Sequence, residues 1–180
     1  LIVLPLSLLD QWVHEIGRNL GHHALVYHGK HKQKMTFEEI EAAPIVVTTY
    51  GQIQLTKKNE KGTVLHQIKW DRIIFDEAHH LRTMNTNKFR GSKRLKSDII
   101  WLVTGTPIQN KKSDFYALCA MMGYSKTFYS NEDNLMTIVK ASILKRTKEG
   151  VGINLPPKVE ATVNVMWKNE REKELAEDFH

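Results

Sequence analysis

Residues 70–80 read Trp70-Asp71-Arg72-Ile73-Ile74-Phe75-Asp76-Glu77-Ala78-His79-His80, or WDRIIFDEAHH. The apolar run Ile73-Ile74-Phe75 is too short for a helix and carries two β-branched residues. It reads as a buried strand of a parallel sheet. The ionisable groups Asp76, Glu77 and His79 follow at its carboxyl end, where open α/β sheets bind their ligands. Two adjacent carboxylates repel each other and demand a cation, which a magnesium-bound phosphate ester supplies. The competing reading is a strand that ends at a solvated acidic turn, and a DEAH string alone does not decide between them.

Outward from this strand the chain alternates. Leu1–Leu4 reads as a strand ended by Pro5. Ser7 is placed to cap a helix running to Asn19, with Leu8, Trp12, Ile16 and Leu20 on one face and Gly21 as its stop. Ala24–Tyr27 is a second strand, Thr36 caps a helix over Phe37–Ala42, and Ile45–Thr49 is a third strand, after which Gly51–Leu55 turns helical. Arg82–Ser97 is polar and basic, loop and helix. Asp98–Val103 reads as another buried strand. Ser113 caps a helix over Asp114–Met122 closed by Gly123, and Asn131 caps one over Glu132–Arg146, where Lys145 and Arg146 suit the negative helix end. Such alternation predicts βαβ units in a three-layer α/β lobe with a mostly parallel sheet. Pro156-Pro157 marks the expected boundary between a compact lobe, residues 1–155, and a connecting strand and helix, residues 156–180. In the second part Val159, Ala161, Val163, Val165 and Trp167 alternate with polar residues, and Asn169 with Glu172 forms a capping box.

A length of 180 residues with 41% hydrophobic content suffices for one domain core plus an extension. No stretch is long and apolar enough for a membrane span, and no signal-peptide pattern occurs. The net charge of +6 makes a polyanionic partner plausible. The densest basic run, Lys88, Arg90, Lys93, Arg94 and Lys96, contains no acid and is either a nucleic-acid contact or a solvated face. Cys119 is the single cysteine, so no intrachain disulfide forms, which fits an intracellular, reducing compartment. His14-Glu15 opens like a zinc-protease motif, but its second histidine falls at Arg18. The pairs His22-His23 and His79-His80, with His28 and His31, lack metal-ligand spacing.

In the parallel-sheet reading, four strands deliver polar strings at their carboxyl ends. These are Pro5-Leu6-Ser7, Thr48-Thr49-Tyr50, Asp76-Glu77-Ala78-His79 and Thr104-Gly105-Thr106. The fuller strings are PLSLLDQWVHEI at 5–16, VVTTY at 46–50, FDEAHHL at 75–81, LVTGTPIQN at 102–110, LKRT at 144–147 and LPPK at 155–158. Taken in this order they are far more specific than DEAH alone. They resemble the superfamily 2 helicase-like ATPases, and within them the Swi/Snf-type DNA translocases, over the first RecA-like lobe of the P-loop NTPase type.

That resemblance implies ATP and Mg2+ as cofactors and duplex DNA as partner. Hydrolysis needs a metal on the phosphates and a group that orients the water. Asp76 would hold magnesium directly or through its water, and Glu77 would position or deprotonate the nucleophile. By similarity to the family, His79 links the nucleotide site to the neighbouring string. Thr104, Gly105 and Thr106 couple ATP state to DNA grip, with Gly105 allowing close approach of the backbone, and Gln109 with Asn110 completes the string. Ser7, Thr48 and Thr49 line the track of one DNA strand, although Ser7 also reads as an ordinary N-cap and Trp12 as core. No G-x-x-x-x-G-K-[ST] loop occurs. The family places it just before the segment that opens here, and the arginine fingers and a second RecA-like lobe beyond His180. The chain therefore reads as part of a longer protein, nuclear if eukaryotic, that couples ATP hydrolysis to movement along duplex DNA. These residues alone are expected to be inactive. A DNA-binding lobe without catalysis, a strand-separating DNA or RNA helicase, and a metal-dependent hydrolase using Asp76, Glu77 and His79 stand as alternatives.

Overall fold

A computed structural model describes the whole chain except residues 58, 109–110, 148–149, 151, 153–158, 164–167 and 178–180, and the side chains of 172 and 175–177. The chain divides into two compact units, Leu1–Ile143 and Leu144–His180. The first unit thus ends before Pro156-Pro157, which lies outside the described residues.

The first unit is built on a five-stranded sheet in the order β2-β3-β1-β4-β5. Its strands are β1 (Ile2–Leu4), β2 (Leu25–Tyr27), β3 (Val46–Thr49), β4 (Lys69–Phe75) and β5 (Lys96–Leu102). Every pairing among them is parallel, so each strand ends on the same rim. Helix α1 (Leu9–Leu20) buries Leu9 and Ile16 against Ile2, Leu4 and Val47 on one face. On the other face the residues of α3 (Tyr50–Ile53), α4 (Asn87–Arg94) and α5 (Lys112–Met121) join Val3, Val46, Ile73 and Phe75 in the larger core. The short α2 (Phe37–Ala42) adds Ile40 to it. This is the expected three-layer α/β arrangement. The unit is completed by α6 (Lys126–Tyr129) and α7 (Glu132–Ser142), which pack Tyr129 and Ile138 against Phe115 and Cys119 of α5.

Local chemistry explains most boundaries and corrects several. Thr36 caps α2 in a reciprocal box with Glu39, and Asn131 caps α7 through Asp133 N–H at 3.0 Å. Gly21 closes α1 at φ 65°, a left-handed conformation that glycine adopts without steric cost. Ser7 is not an N-cap: Leu6–Leu8 forms a 3-10 turn and α1 starts at Leu9 without a side-chain cap. Leu20, expected on the buried face, is exposed. Helix α5 begins at Lys112 rather than after Ser113, and Asp114 accepts the Lys111 N–H. Helix α7 ends at Ser142, so Lys145 and Arg146 are not in its last turn. In the second unit α8 (Glu170–Glu177) forms where expected, but residues 159–163 belong to no strand and Val159 and Val163 are exposed. The remainder of that expected strand, residues 164–167, is not described.

Strand β5 also departs from expectation. It is an edge strand that pairs with β4 alone among the described residues. Its outward side chains remain open, Ile99 being 42% and Trp101 51% exposed. An apolar run predicts a strand that is able to be buried; it does not say whether a neighbour is present to bury it. The Arg72 guanidinium lies 4.3 Å from the centroid of the Trp101 ring and covers part of this face.

The opposite face is closed by a tight approach. A Cβ added at Gly91 in α4 would fall inside the contact radius of the Ile53 carbonyl oxygen, with Gln54 Cα also close. That obstacle is main chain and cannot rotate away. Gly91→Ala is therefore expected to destabilise the chain by about 1–3 kcal/mol, the usual cost of overpacking. Urea denaturation checks this as a lowered midpoint at unchanged slope.

Candidate functional site

The site is assembled at the carboxyl end of β4, between β1 and β5. Asp76 N–H donates to the Val3 carbonyl at 2.8 Å, Val103 N–H to the Phe75 carbonyl at 2.9 Å and Ala78 N–H to the Val103 carbonyl at 2.9 Å. These bonds carry the ladder one step past β4 and fix where Asp76 and Glu77 leave the sheet. The Asp76 carboxylate is oriented through both oxygens: Oδ1 accepts Glu77 N–H at 2.9 Å and Oδ2 accepts the Trp12 indole N–H at 2.7 Å. Its main-chain carbonyl accepts the Tyr50 hydroxyl at 2.7 Å. Burial, followed by the Asp76 and Glu77 charges, pushes the Tyr50 phenol far above its ordinary range, so it remains a donor.

Glu77 has φ 49° and ψ 48°, and among the described residues it is the one non-glycine at positive φ. Such a conformation costs about 1–2 kcal/mol for an L-residue and is retained where surroundings over-determine it. Here it turns the Glu77 carboxylate toward His79, whose Nδ1 lies 3.0 Å from Glu77 Oε2. The same nitrogen lies 3.4 Å from Thr104 Oγ1, which also accepts the Thr106 N–H at 3.2 Å. The end of β4 is thereby connected to the segment after β5 through His79. At Gly105 a Cβ would meet open space, so no described neighbour requires glycine there. Gln109 and Asn110 lie outside the described residues.

A magnesium ion suits these groups on one condition. Asp76 offers hard oxygen donors that are already oriented and half-buried, yet among the described residues no group of three His, Cys, Asp or Glu converges to hold a metal. Magnesium bound through one carboxylate takes its other ligands from water and phosphate oxygens, so the fit is to a metal that arrives with a nucleotide.

The expected DNA hydroxyls are not equivalent. Ser7 is exposed on the rim. Thr48 is fully buried and its hydroxyl donates to the Tyr27 carbonyl at 2.8 Å, which removes it from any surface contact. Both faces of β3 are covered and β1 and β2 flank it, so its side chains serve the sheet. Thr49, at the strand end, is 4% exposed, lies 3.4 Å from His28 Nδ1 and lines a groove with Pro5, Leu6, Gln52 and His80. Lys88 also lines it, with its ammonium 5.6 Å from the Tyr50 ring centroid. Three others of the basic run are engaged locally: Arg90 with Asn87 Oδ1, Lys93 with the Ala120 carbonyl and Arg94 with the Glu60 carbonyl. Burial, then the nearby Lys88 charge and His79, pull the His80 imidazole below its ordinary value.

Sequence reasoning placed Trp12 in the core, left Tyr50 without a role and left Lys88, with its basic run, between a nucleic-acid contact and a solvated face. The string VVTTY contains Tyr50, but nothing in its pattern points to Asp76; Trp12 meets Asp76 from 64 residues away. Such pairings exist after folding alone.

Comparison with known proteins bears on the family and the fold. The family model described as SNF2-related domain matches residues 1–176. The chain is 32% identical to the DNA repair protein RAD5B of Arabidopsis thaliana over 83% of this chain and 13% of that protein. It is 30% identical to the DNA repair protein rad8 of Schizosaccharomyces pombe over 88% of this chain and 17% of that protein. It thus spans well under a quarter of either relative. Among solved structures, the Sulfolobus solfataricus SWI2/SNF2 ATPase core in complex with dsDNA matches with a TM-score of 0.65 and 27% identity, over 82% of this chain and 33% of that one. The parallel sheet is accordingly that of a RecA-like lobe, and the chain belongs to the SNF2-related domain family.

Proposed function

We propose that the longer protein containing this lobe hydrolyses ATP, with duplex DNA as activator, and uses the cycle to move along DNA. The observation that carries this reading is the Asp76–Glu77 pair at the end of β4, with Asp76 oriented by two N–H donors and Glu77 held at φ 49°. Bound Mg2+ would neutralise charge on the phosphates and polarise the transferred group. Asp76 would supply its protein ligand. Glu77 would orient the attacking water and take its proton, with His79 beside it to hold the carboxylate.

The rim between β1 and β3 is where DNA backbone would lie, against Ser7, Thr49 and Lys88. Phosphates are bound by hydroxyls, main-chain N–H groups and cations, and no Asp or Glu lines the groove among the described residues. The relatives named as DNA repair proteins and the neighbour solved with dsDNA support the same partner, and a nuclear site of action in a eukaryote. A phosphate-binding loop and a second lobe would complete the nucleotide site. The open edge of β5 offers the next position in the sheet for a strand carrying that loop.

The test is steady-state ATP hydrolysis by the full-length protein with no nucleic acid, duplex DNA, single-stranded DNA and RNA. Stimulation by duplex is expected to exceed the others. Stimulation by single strands or RNA instead would move the protein to an unwinding class. DNA binding without hydrolysis would make it a binding lobe.

A further inference from the structure

Asp76 is held by two side chains that belong to the two rim segments facing the groove. Tyr50 directly follows Thr49, and its hydroxyl holds the carbonyl of the peptide that joins Asp76 to Glu77. Trp12 lies in the helix that follows the Ser7 turn, and its indole holds Asp76 Oδ2. The Tyr50 ring stacks on Phe75 with centroids 6.3 Å apart and meets His80 at 5.4 Å. Lys88 sits near the same ring and is the lysine that lines the groove among the described residues.

We propose that Tyr50 and Trp12 are positioning residues through which DNA in the rim groove sets the geometry of the Asp76–Glu77 pair. The proposal rests on the DNA-activated ATPase reading above. A phosphate in the groove draws Lys88 away from the Tyr50 ring, and contact at Ser7 or Thr49 bears on the first turn of α1 or α3. Each movement ends at a hydrogen bond to Asp76. One bond orients the carboxylate that would meet the metal. The other holds the peptide plane ahead of Glu77, the one described non-glycine residue at positive φ and hence the place where a small rotation has most effect. The two states that coupling requires are therefore Lys88 over the Tyr50 ring and Lys88 on phosphate, and DNA interacts differently with each. Two short non-covalent steps, groove to Tyr50 and Tyr50 to Asp76, connect the sites without a long relay.

The experiment uses the full-length protein and its Tyr50→Phe and Trp12→Phe variants, which delete one donor each and keep an aromatic ring. Hydrolysis is measured with and without saturating duplex, duplex affinity by fluorescence anisotropy, and the ion environment by electron paramagnetic resonance of Mn2+ with bound nucleotide. Duplex is expected to bind both variants as it binds the unaltered protein. The duplex-stimulated kcat is expected to fall about 10–100-fold, as when partners behind a metal ligand are removed, and to fall more than the DNA-free rate. The Mn2+ spectrum, altered by duplex in the unaltered protein, is expected to lose that response. Full stimulation with an unchanged spectrum in both folded variants overturns the coupling role and leaves the ATPase reading standing. An unaltered protein that duplex neither binds nor stimulates overturns both. Thermal melting identifies a variant that has not folded, in which case the other variant decides.

Discussion

Glu77→Gln in the full-length protein is expected to lower duplex-stimulated ATP hydrolysis by about 10²–10⁴-fold, the range supplied by a positioned general base. Glutamine matches glutamate in shape and accepts a hydrogen bond from His79 through its amide oxygen, so the contact at 3.0 Å is kept in kind. It pays the same conformational cost at φ 49°. What is lost is the negative charge and the proton-accepting oxygen. Duplex binding is expected to persist, because the groove bounded by Pro5, Thr49 and Lys88 does not include Glu77. A coupled assay for released phosphate, beside an anisotropy titration with duplex, reads both quantities. An unchanged rate would remove Glu77 from the chemistry.

Phe75→Ala is expected to cost about 3–5 kcal/mol, as for a large aromatic removed from a closed core. Phe75 is fully buried between β1 and β5, in the cluster that includes Val3, Ile73, Ala78 and Leu81. Its neighbours are held in sheet or turn and cannot collapse into the space. Domains are stable by about 5–15 kcal/mol, so this one substitution removes a large share. Urea denaturation followed by circular dichroism reads the loss. Activity is expected to fall as well in any protein that stays folded, because the Tyr50 ring loses the surface it stacks on and its hydroxyl bonds to Asp76. A loss below about 1 kcal/mol would mean that the site repacks more freely than the interior density of proteins permits.

The amino-acid sequence by itself determined the alternation of strands and helices, the parallel sheet and the four polar strings on one rim. Each of these is local: short apolar runs bounded by proline, glycine and capping residues state which element forms, though several ends shifted, as at Ser7, Ser113 and Arg146. The placement of the DEAH acids at the carboxyl end of a strand was legible because the apolar run Ile73-Ile74-Phe75 stops where they begin. Tertiary structure decided what periodicity does not encode, namely which element stands opposite each side chain. Thr48 and Ser7 read alike as hydroxyls on strand ends, yet packing on both faces of β3 buries Thr48, whereas the turn before α1 leaves Ser7 open. The same is true of β5, apolar in pattern and exposed in place, and of the basic run, most of which is spent on nearby acceptors while Lys88 reaches the groove. Trp12 is the clearest case. Its spacing on α1 states that it faces inward, but the inward direction leads to the carboxylate of Asp76, because burying an indole leaves a donor that must find an acceptor.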